Sequence, residues 1–145
     1  MKPSLIIPRL RQQVAALGER VAGVAAYAAA AQQTEFPRPH AFVVPLGEEA
    51  GENQTVGGVT QVVRARFGVI VAVSNLSDER GQAGAEQLEE IRDALIAALV
   101  GWTPLAQRFD VIAYDGTPED PQLDRAVLWQ RYDFNSIEII SGPAL

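Results

Sequence analysis

The feature that most restricts the fold of this chain is a long segment, residues 59–75, in which apolar side chains recur with period two. Successive side chains of a β-strand point to opposite faces, so this period predicts one extended strand with an apolar face. The apolar set consists of Val59, Val63, Ala65, Phe67, Val69, Val71 and Val73. At ~3.3 Å per residue the strand would extend on the order of 50 Å, which exceeds what a small core covers. Gly68, within the strand, indicates a bend or bulge.

The segment before this strand predicts the other half of a long hairpin. Residues 40–44 read HAFVV and are followed by Pro45, which is typical of the end of a strand. Residues 47–58 are polar and rich in glycine, and Ala50 and Val56 are the apolar side chains that could anchor them. Two small side chains do not offset roughly 1–2 kcal/mol per ordered residue, so we expect a mobile loop.

Three segments predict helices. The first has an apolar stripe at three- and four-residue spacing, formed by Ile7, Leu10, Val14, Leu17 and Val21, with Gly18 as its stop. Residues from about 24 to 32 are rich in alanine, the best helix former, and predict a second helix. The main helix, residues 78–101, begins with the capping residues Ser77-Asp78-Glu79 and ends at Gly101. Its stripe consists of Leu88, Ile91, Leu95, Ala98, Leu99 and Trp102.

The C-terminal part of the chain predicts a second hairpin, because residues 108–114 and 125–134 have strand-forming compositions and flank the polar turn DGTPEDPQ. The chain is therefore predicted to be α+β, in the order α-α-β-β-α-β-β. Its antiparallel or mixed β-sheet has about four strands, with a long β-hairpin and flanking helices. We expect a single domain over residues 1–145. Its parts are an N-terminal helical part (1–34), the long hairpin (40–75) with its loop (47–58), the main helix (78–101), the second hairpin (108–134) and a C-terminal tail (135–145).

Composition restricts the classes of function. The chain has 145 residues, 48% of them hydrophobic, which fits one globular domain. It has no cysteine, which excludes disulfides and thiolate metal sites. No segment approaches the ~20 consecutive apolar residues of a membrane helix, so we expect no membrane contact. A formal net charge of −6 is not the basic footprint of a nucleic-acid-binding protein, so we expect no specific DNA binding.

Residues that usually carry catalysis are scarce in this sequence. His40 is the one histidine and Lys2 the one lysine, so a two-histidine metal motif cannot form. No G-x-S-x-G elbow surrounds any serine. Glu48, Glu49 and Glu52 could supply oxygen ligands to a hard cation, but they lack calcium-loop spacing and are interpreted as a solvated loop. We therefore expect no enzyme activity, no cofactor and no metal.

Two arginines on the long strand are candidates for binding a partner. Arg64 and Arg66 stand two residues apart and therefore point to the same face. One interpretation is a solvated sheet face. The other is an interface where they meet the carboxylates of a partner, since arginine is enriched at interfaces. The candidate interface with a partner comprises Arg64, Arg66, Glu48, Glu49, Glu52 and Asn53.

Four stretches, in their order along the chain, resemble the tail terminator proteins of tailed bacteriophages. They are AFVVPLGEEAGEN, GGVTQVVRARFGVIVAVSN, AEQLEEIRDALIAALVGW and AVLWQRYDF. Together with the N-terminal helix, the likeness spans about residues 6–134. Each stretch alone is mainly a hydrophobic pattern, and the specificity of the likeness lies in the order and the spacing. Residues beyond 135 do not match the family pattern.

The resemblance implies a structural virion protein without catalytic residues. Such proteins form a ring, typically of six subunits, that caps the tail tube, stops its polymerisation and offers a surface to the head or neck. The implied partners are further copies of the chain, the tail tube protein and a head–tail connector or neck protein. DNA would pass through the ring without specific binding, since like charges repel. The implied location is the virion tail, assembled in the cytoplasm of the bacterial host.

Other functions remain open on the sequence. Another head–tail connector or neck component would share the size, the acidity and the fold class. A small-ligand-binding domain would use the same architecture and would need a concave pocket with convergent polar groups. A hydrolase would have to pair a serine with His40. Mass in solution separates these readings, because a ring favours assembly and a monomer favours ligand binding.

Overall fold

Six strands form one mixed sheet in the computed structural model of the chain, which describes residues 1–33, 35–75 and 82–143. The strands are β1 Val21–Ala22, β2 His40–Ala50, β3 Val59–Ser74, β4 Ala113–Gly116, β5 Gln122–Asp124 and β6 Val127–Gly142. Their order across the sheet is β1-β2-β3-β6-β4, and β5 pairs with β6. The β1–β2 pair is parallel and the other pairs are antiparallel.

Helices flank this sheet. A 3-10 turn, Pro3–Leu5, leads into α1 Ile7–Gln13, and α2 Val24–Ala30 and α3 Gln82–Leu99 follow. The predicted α+β class is confirmed. The sheet has more strands than the predicted four because β1 and β5 have 2 and 3 residues, too few to show a periodicity. No described helix is long and apolar enough to cross a membrane.

The core lies between one face of the sheet and helices α1 and α3. Phe67, Val69, Val71 and Val73 point into it from β3, as the alternation predicts. The stripe of α3 is buried against them, with Leu95 and Leu99 both 0% exposed. The predicted cap of this helix, Ser77-Asp78-Glu79, lies outside the described residues.

The opposite face of the sheet, here the second face, is covered at one end by aromatic side chains. Phe42 of β2 and Trp129 of β6 flank β3 on this face, and their ring centroids are 6.2 Å apart. Tyr27 of α2 packs edge-on against Trp129 at 5.9 Å, and Phe36 lies 5.7 Å from the same ring. The alanine-rich helix therefore adds a third layer at this end of the sheet.

The first helix is shorter than predicted. It ends at Gln13, because Val14 is extended, with φ −106° and ψ 93°. The apolar stripe nevertheless stays in the core, since Leu17 is 0% exposed in the turn that follows and Val21 pairs with β2. Three- and four-residue spacing can continue through turns when the tertiary core, rather than the helix, sets the positions of the side chains.

The prediction that residues 47–50 belong to a loop is wrong. Strand β2 continues to Ala50 after a register shift between Pro45 and Glu48, and Glu48 and Glu49 pair with Ala65 and Arg64. Gly47 has φ +85°, a conformation that glycine adopts without strain, and it lies inside this bulge. Residues 48–50 are polar or small, and they form a strand because the long strand β3 provides hydrogen-bonding partners for them.

The predicted C-terminal tail is wrong for the same reason. Residues 135–142 continue β6 and pair with β3 in unbroken register, from Val59 opposite Gly142 to Ser74 opposite Val127. In the second hairpin, residues 108–112 make isolated bridges instead of the predicted strand, and β4 begins at Ala113. The composition of residues 108–114 favoured a strand over the whole segment. The actual start of β4 depends instead on where the chain pairs with the edge of β6.

Candidate assembly interface

The paired strands extend past the helices as an arm, defined here as residues 48–66 and 135–142. Strand β3 has 16 residues, and its part in the main core cluster begins at Phe67, while Val63 and Ala65 are buried outside that cluster. At ~3.3 Å per residue the arm extends roughly 25 Å beyond Phe67. At its base, segment 108–110 lies along β6, where the Asp110 N–H donates to the Ile137 carbonyl at 2.8 Å.

The tip of the arm is closed by the side chain of Asn53. Its Oδ1 accepts hydrogen bonds from the N–H groups of Thr55 (3.1 Å) and Thr60 (2.8 Å). Its Nδ2 donates to the carbonyl oxygens of Thr55 (2.9 Å) and Gly58 (2.8 Å). The prediction for this loop considered only apolar anchors, Ala50 and Val56, and did not include this polar one.

Apolar side chains are exposed along the outer part of the arm. Val56 at the tip is 101% exposed, and Ile139 of β6 is 66% exposed. Val59 and Ile140 add further exposed apolar surface on the same strands. Because Ile139 and Ile140 are neighbours on one strand, they point to opposite faces, so both faces of the arm expose apolar surface, which is typical of interaction sites. The sequence signal was the run from Ile137 to Ile140, which lay in the segment that was assigned to the tail.

An ion cluster on the second face marks the boundary between the arm and the core. Arg131 binds Asp133 with two nitrogens, Nε to Oδ1 at 2.8 Å and Nη2 to Oδ2 at 3.1 Å. Arg66 approaches the same carboxylate, with Nη2 4.0 Å from Oδ2. Asp133 is 5% exposed, so it lies beneath the two guanidinium groups. Arg66 was predicted from the sequence as a candidate, whereas Arg131 and Asp133 were not, although they also stand two residues apart.

Gly68 provides the space for this cluster. A Cβ at this position would lie 3.1 Å from Cδ of Arg131 and 3.3 Å from Oδ1 of Asp133. The predicted bend or bulge at Gly68 is wrong, since it pairs in register with Val44 on one side and Asp133 on the other. A side chain at residue 68 would therefore push against the stem of Arg131 and the carboxylate of Asp133, and both would have to shift.

The six candidate residues do not form one patch. Arg64 is exposed on the second face, and its register partners are Glu49 and Ile137. Within the described parts of the chain, Arg64 makes no ion pair closer than 4.0 Å.

The other candidates separate by face and by position along the arm. Glu48 pairs in register with the buried Ala65, and so belongs to the helix-side face of the sheet. There it acts on Arg108, whose pKa is raised first by its hydrogen bond to Glu138 and also by Glu48. Glu52 is exposed in the tip loop next to Asn53. Arg64, Arg66 and Glu49 therefore share one face, and the remaining three candidates lie elsewhere.

The single histidine lies in the aromatic cluster of the second face. The ring of His40 stacks on Phe42 at 4.6 Å, and its Nδ1 lies 3.2 Å from the Pro37 carbonyl. Burial lowers the pKa of His40, and the nearby charge of Arg20 acts in the same direction. Among the described residues, no group of three or more acidic or histidine side chains is placed to hold a metal ion.

A family model and one solved structure each match almost the whole chain. A family model described as "Phage tail terminator protein" matches residues 1–142, so the expected end of the likeness near residue 135 is wrong. Among solved structures, one similar chain comes from a structure described as "Virion of native gene transfer agent (GTA) particle". It is 15% identical, with a TM-score of 0.49, and the match covers 94% of this chain and 92% of that chain. No curated protein sequence matches the chain.

Proposed function

Because the chain belongs to the phage tail terminator family, whose model matches residues 1–142, we propose that it forms a ring that caps the tail tube. The chain is a structural component of the virion tail. In this proposal the ring is a hexamer, it stops polymerisation of the tube, and its other side binds the head–tail connector or neck protein. Assembly takes place in the cytoplasm of the bacterial host.

The arm is the observation that carries the proposal. A ring needs a heterologous interface, in which two different patches of neighbouring subunits meet. The arm supplies one such patch, because it extends beyond the subunit's own core and exposes Ile139 and Ile140. Covering these side chains with a neighbour or with the tube rim would remove apolar surface from water and stabilise the assembly.

The charge of the chain fits a ring through which DNA passes. The formal net charge is −6, so the ring would carry several times that charge in total. Like charges repel phosphates, and the chain lacks the basic footprint that releases counterions from DNA. DNA would therefore cross the opening without a specific contact, which a channel for genome passage requires.

The proposal is tested with the purified chain and with tail tubes assembled from the tube protein. We expect ring-shaped particles in electron micrographs and a matching mass in sedimentation. Added before polymerisation, the chain should bind at tube ends and halt growth. A monomer that leaves tube length unchanged would overturn the proposal. Rings that bind heads and ignore tubes would instead assign the chain to the neck or connector.

A matched pair of variants tests the role of the arm in capping. Ile139→Asp introduces a charge on the exposed arm, where the side chain is 66% exposed. Leu123→Asp makes the same change on β5, where exposure is 61%. We expect Ile139→Asp to lose ring formation or capping and Leu123→Asp to retain both. Equal behaviour of the two variants would mean that the arm has no special part in assembly.

A further inference from the structure

The second face of the sheet presents guanidinium groups over a buried carboxylate. Arg64 is exposed, and the side chains of Arg66 and Arg131 are 35% and 36% exposed. Asp133, which orients the last two, is 7% exposed in its side chain and lies below them. Glu49, opposite Arg64 in register, makes no ion pair with it among the described residues. We call the surface of Arg64, Arg66 and Arg131 the arginine face.

The opposite side of the subunit presents carboxylates. Helix α3 buries its apolar stripe in the core, and its outer side exposes Glu86, Glu89 and Glu90. Residues three and four apart lie on one side of a helix, so these carboxylates form one surface, the acidic face. Arg92 does not neutralise them, because it pairs with Asp93 at 3.0 Å and lies over the Tyr114 ring at 5.3 Å.

We propose that the arginine face of one subunit binds the acidic face of α3 on a second copy of this chain. This inference rests on the proposed ring, and it names the two surfaces that meet. The sheet separates the two faces, so one subunit can use both of them at once, with a different neighbour on each side. Contacts of this head-to-tail kind can close into a ring.

The charges on the two faces mainly determine how neighbouring subunits are oriented, and they contribute less to the affinity of the contact. A two-fold dimer through the acidic face would bring glutamates together, and one through the arginine face would bring mainly arginines together, with Glu49 as a carboxylate on that face. Juxtaposed like charges are strongly disfavoured. Head-to-tail contact pairs opposite charges. Complementary potentials of this kind raise the association rate and fix the register, while the apolar outer arm supplies buried area.

Gly68 and Asp133 position the arginine face. Arg131 is held flat by two hydrogen bonds to Asp133, at 2.8 and 3.1 Å, over the space that Gly68 leaves. Preorganised arginines lose little further side-chain freedom on binding, which favours the contact. This accounts for a carboxylate that is buried in the isolated subunit beneath partly exposed arginines.

Charge reversal on each face provides the test. The sheet variant is Arg64→Glu with Arg66→Glu, and the helix variant is Glu86→Arg with Glu90→Arg. Each variant alone would place like charges in the contact, so each should require at least about tenfold more protein than the wild type to form rings in sedimentation. An equimolar mixture should form rings again, with the two variants alternating. Glu19→Arg, which reverses an exposed carboxylate on neither face, is the control and should assemble normally.

The outcomes separate this inference from the proposed function. A wild-type chain that forms no ring overturns both. Rings that persist in both single variants overturn the pairing and leave the ring in place. If each single variant loses its rings and the mixture does not recover them, the pairing is also overturned. A sheet variant that forms rings but does not cap tubes overturns the pairing as well. Because Arg66 lies beside Asp133, circular dichroism checks the fold. If the sheet variant is unfolded, Arg64→Glu alone replaces it.

Discussion

The inner and outer ends of β3 have the same kind of sequence and different surroundings. From Phe67 to Ser74 every residue is buried or half-buried, because α1 and α3 cover one face and the aromatic cluster covers part of the other. From Val59 to Val62 no residue is buried, and the paired Ile139 is 66% exposed. The comparison shows that one strand can serve the subunit at one end and an assembly at the other.

The two ends of β3 differ in whether other parts of the subunit pack over them, because their pairing with β6 is the same. Strands β3 and β6 pair in unbroken register along both ends, so the backbone hydrogen bonds of the ladder do not distinguish them. The inner end gains stability from buried apolar area, and the outer end leaves similar side chains in water. If the outer end is covered in the assembled ring, its contribution appears only as affinity between subunits.

The largest effect is expected at the helix that covers the inner end. Leu95 is 0% exposed, so Leu95→Ala should lower the free energy of unfolding by about 2–5 kcal/mol through lost burial and the cavity left behind. Denaturant unfolding of the isolated subunit measures this. Leu123→Ala, at a side chain that is 61% exposed, serves as the control and should stay within about 0.5 kcal/mol. A neutral Leu95→Ala would remove the distinction between the two ends.

A smaller effect is expected at the tip of the arm. Asn53→Ala removes a side chain that makes four hydrogen bonds to the backbone of residues 55–60, and should cost about 1 kcal/mol locally. The amides of Thr55 and Thr60, which donate to Oδ1, should exchange faster with solvent. Exchange around Val71 should not change. If the Thr60 amide exchanged at the same rate in both proteins, the tip would be held by something other than Asn53.

A pH effect is expected at the aromatic cluster of the inner end. Burial lowers the pKa of His40 below its ordinary value of 6.5, so the unfolded chain binds this proton more readily than the folded chain. Stability from this residue is therefore present above about pH 6.5 and is lost as the pH falls through the lowered value. Melting curves between about pH 7.5 and 5.5 should show the loss. His40→Gln should flatten this part of the profile, and an unchanged slope would assign it to other groups.

The smallest effect on the subunit is expected at the outer arm. Ile139→Asp should change the free energy of unfolding by no more than about 0.5 kcal/mol, because the side chain is already in water. The same variant is expected to lose assembly, and this separation of folding from assembly is what the comparison predicts. A loss of several kcal/mol in the isolated subunit would mean that Ile139 is covered by its own chain.

The long periodic segments could be predicted because many residues in each of them indicate the same secondary structure. The alternation of β3 and the stripe of α3 each extend over 16 or more residues, and the structure confirms both. Elements of 2 or 3 residues, such as β1 and β5, carry no period and were missed. The C-terminal extension of β6 was missed because Asn135, Ser136 and Glu138 interrupt its apolar pattern.

The candidate interface was only partly predictable. Arg64 and Arg66 could be placed on one face, because strand periodicity needs no partner. Arg131 and Asp133 could not be joined to them, because that contact depends on the register in which Gly68 meets Asp133. The role of Asn53 was also missed, since its four hydrogen bonds exist only when β2 and β3 form a tight arm.

The sequence by itself determined what depends on near neighbours and on composition: the main helix, the long alternating strand, the lack of cysteine chemistry and the negative charge. The tertiary structure decided which end of β3 the helices cover, where the pairing of β2 and β6 ends, and which arginines surround Asp133. Each of these brings together residues far apart in the chain, such as Arg66 and Asp133. The stability of these contacts depends on strand register and on which elements pack over the sheet, and neither can be predicted from a local sequence pattern.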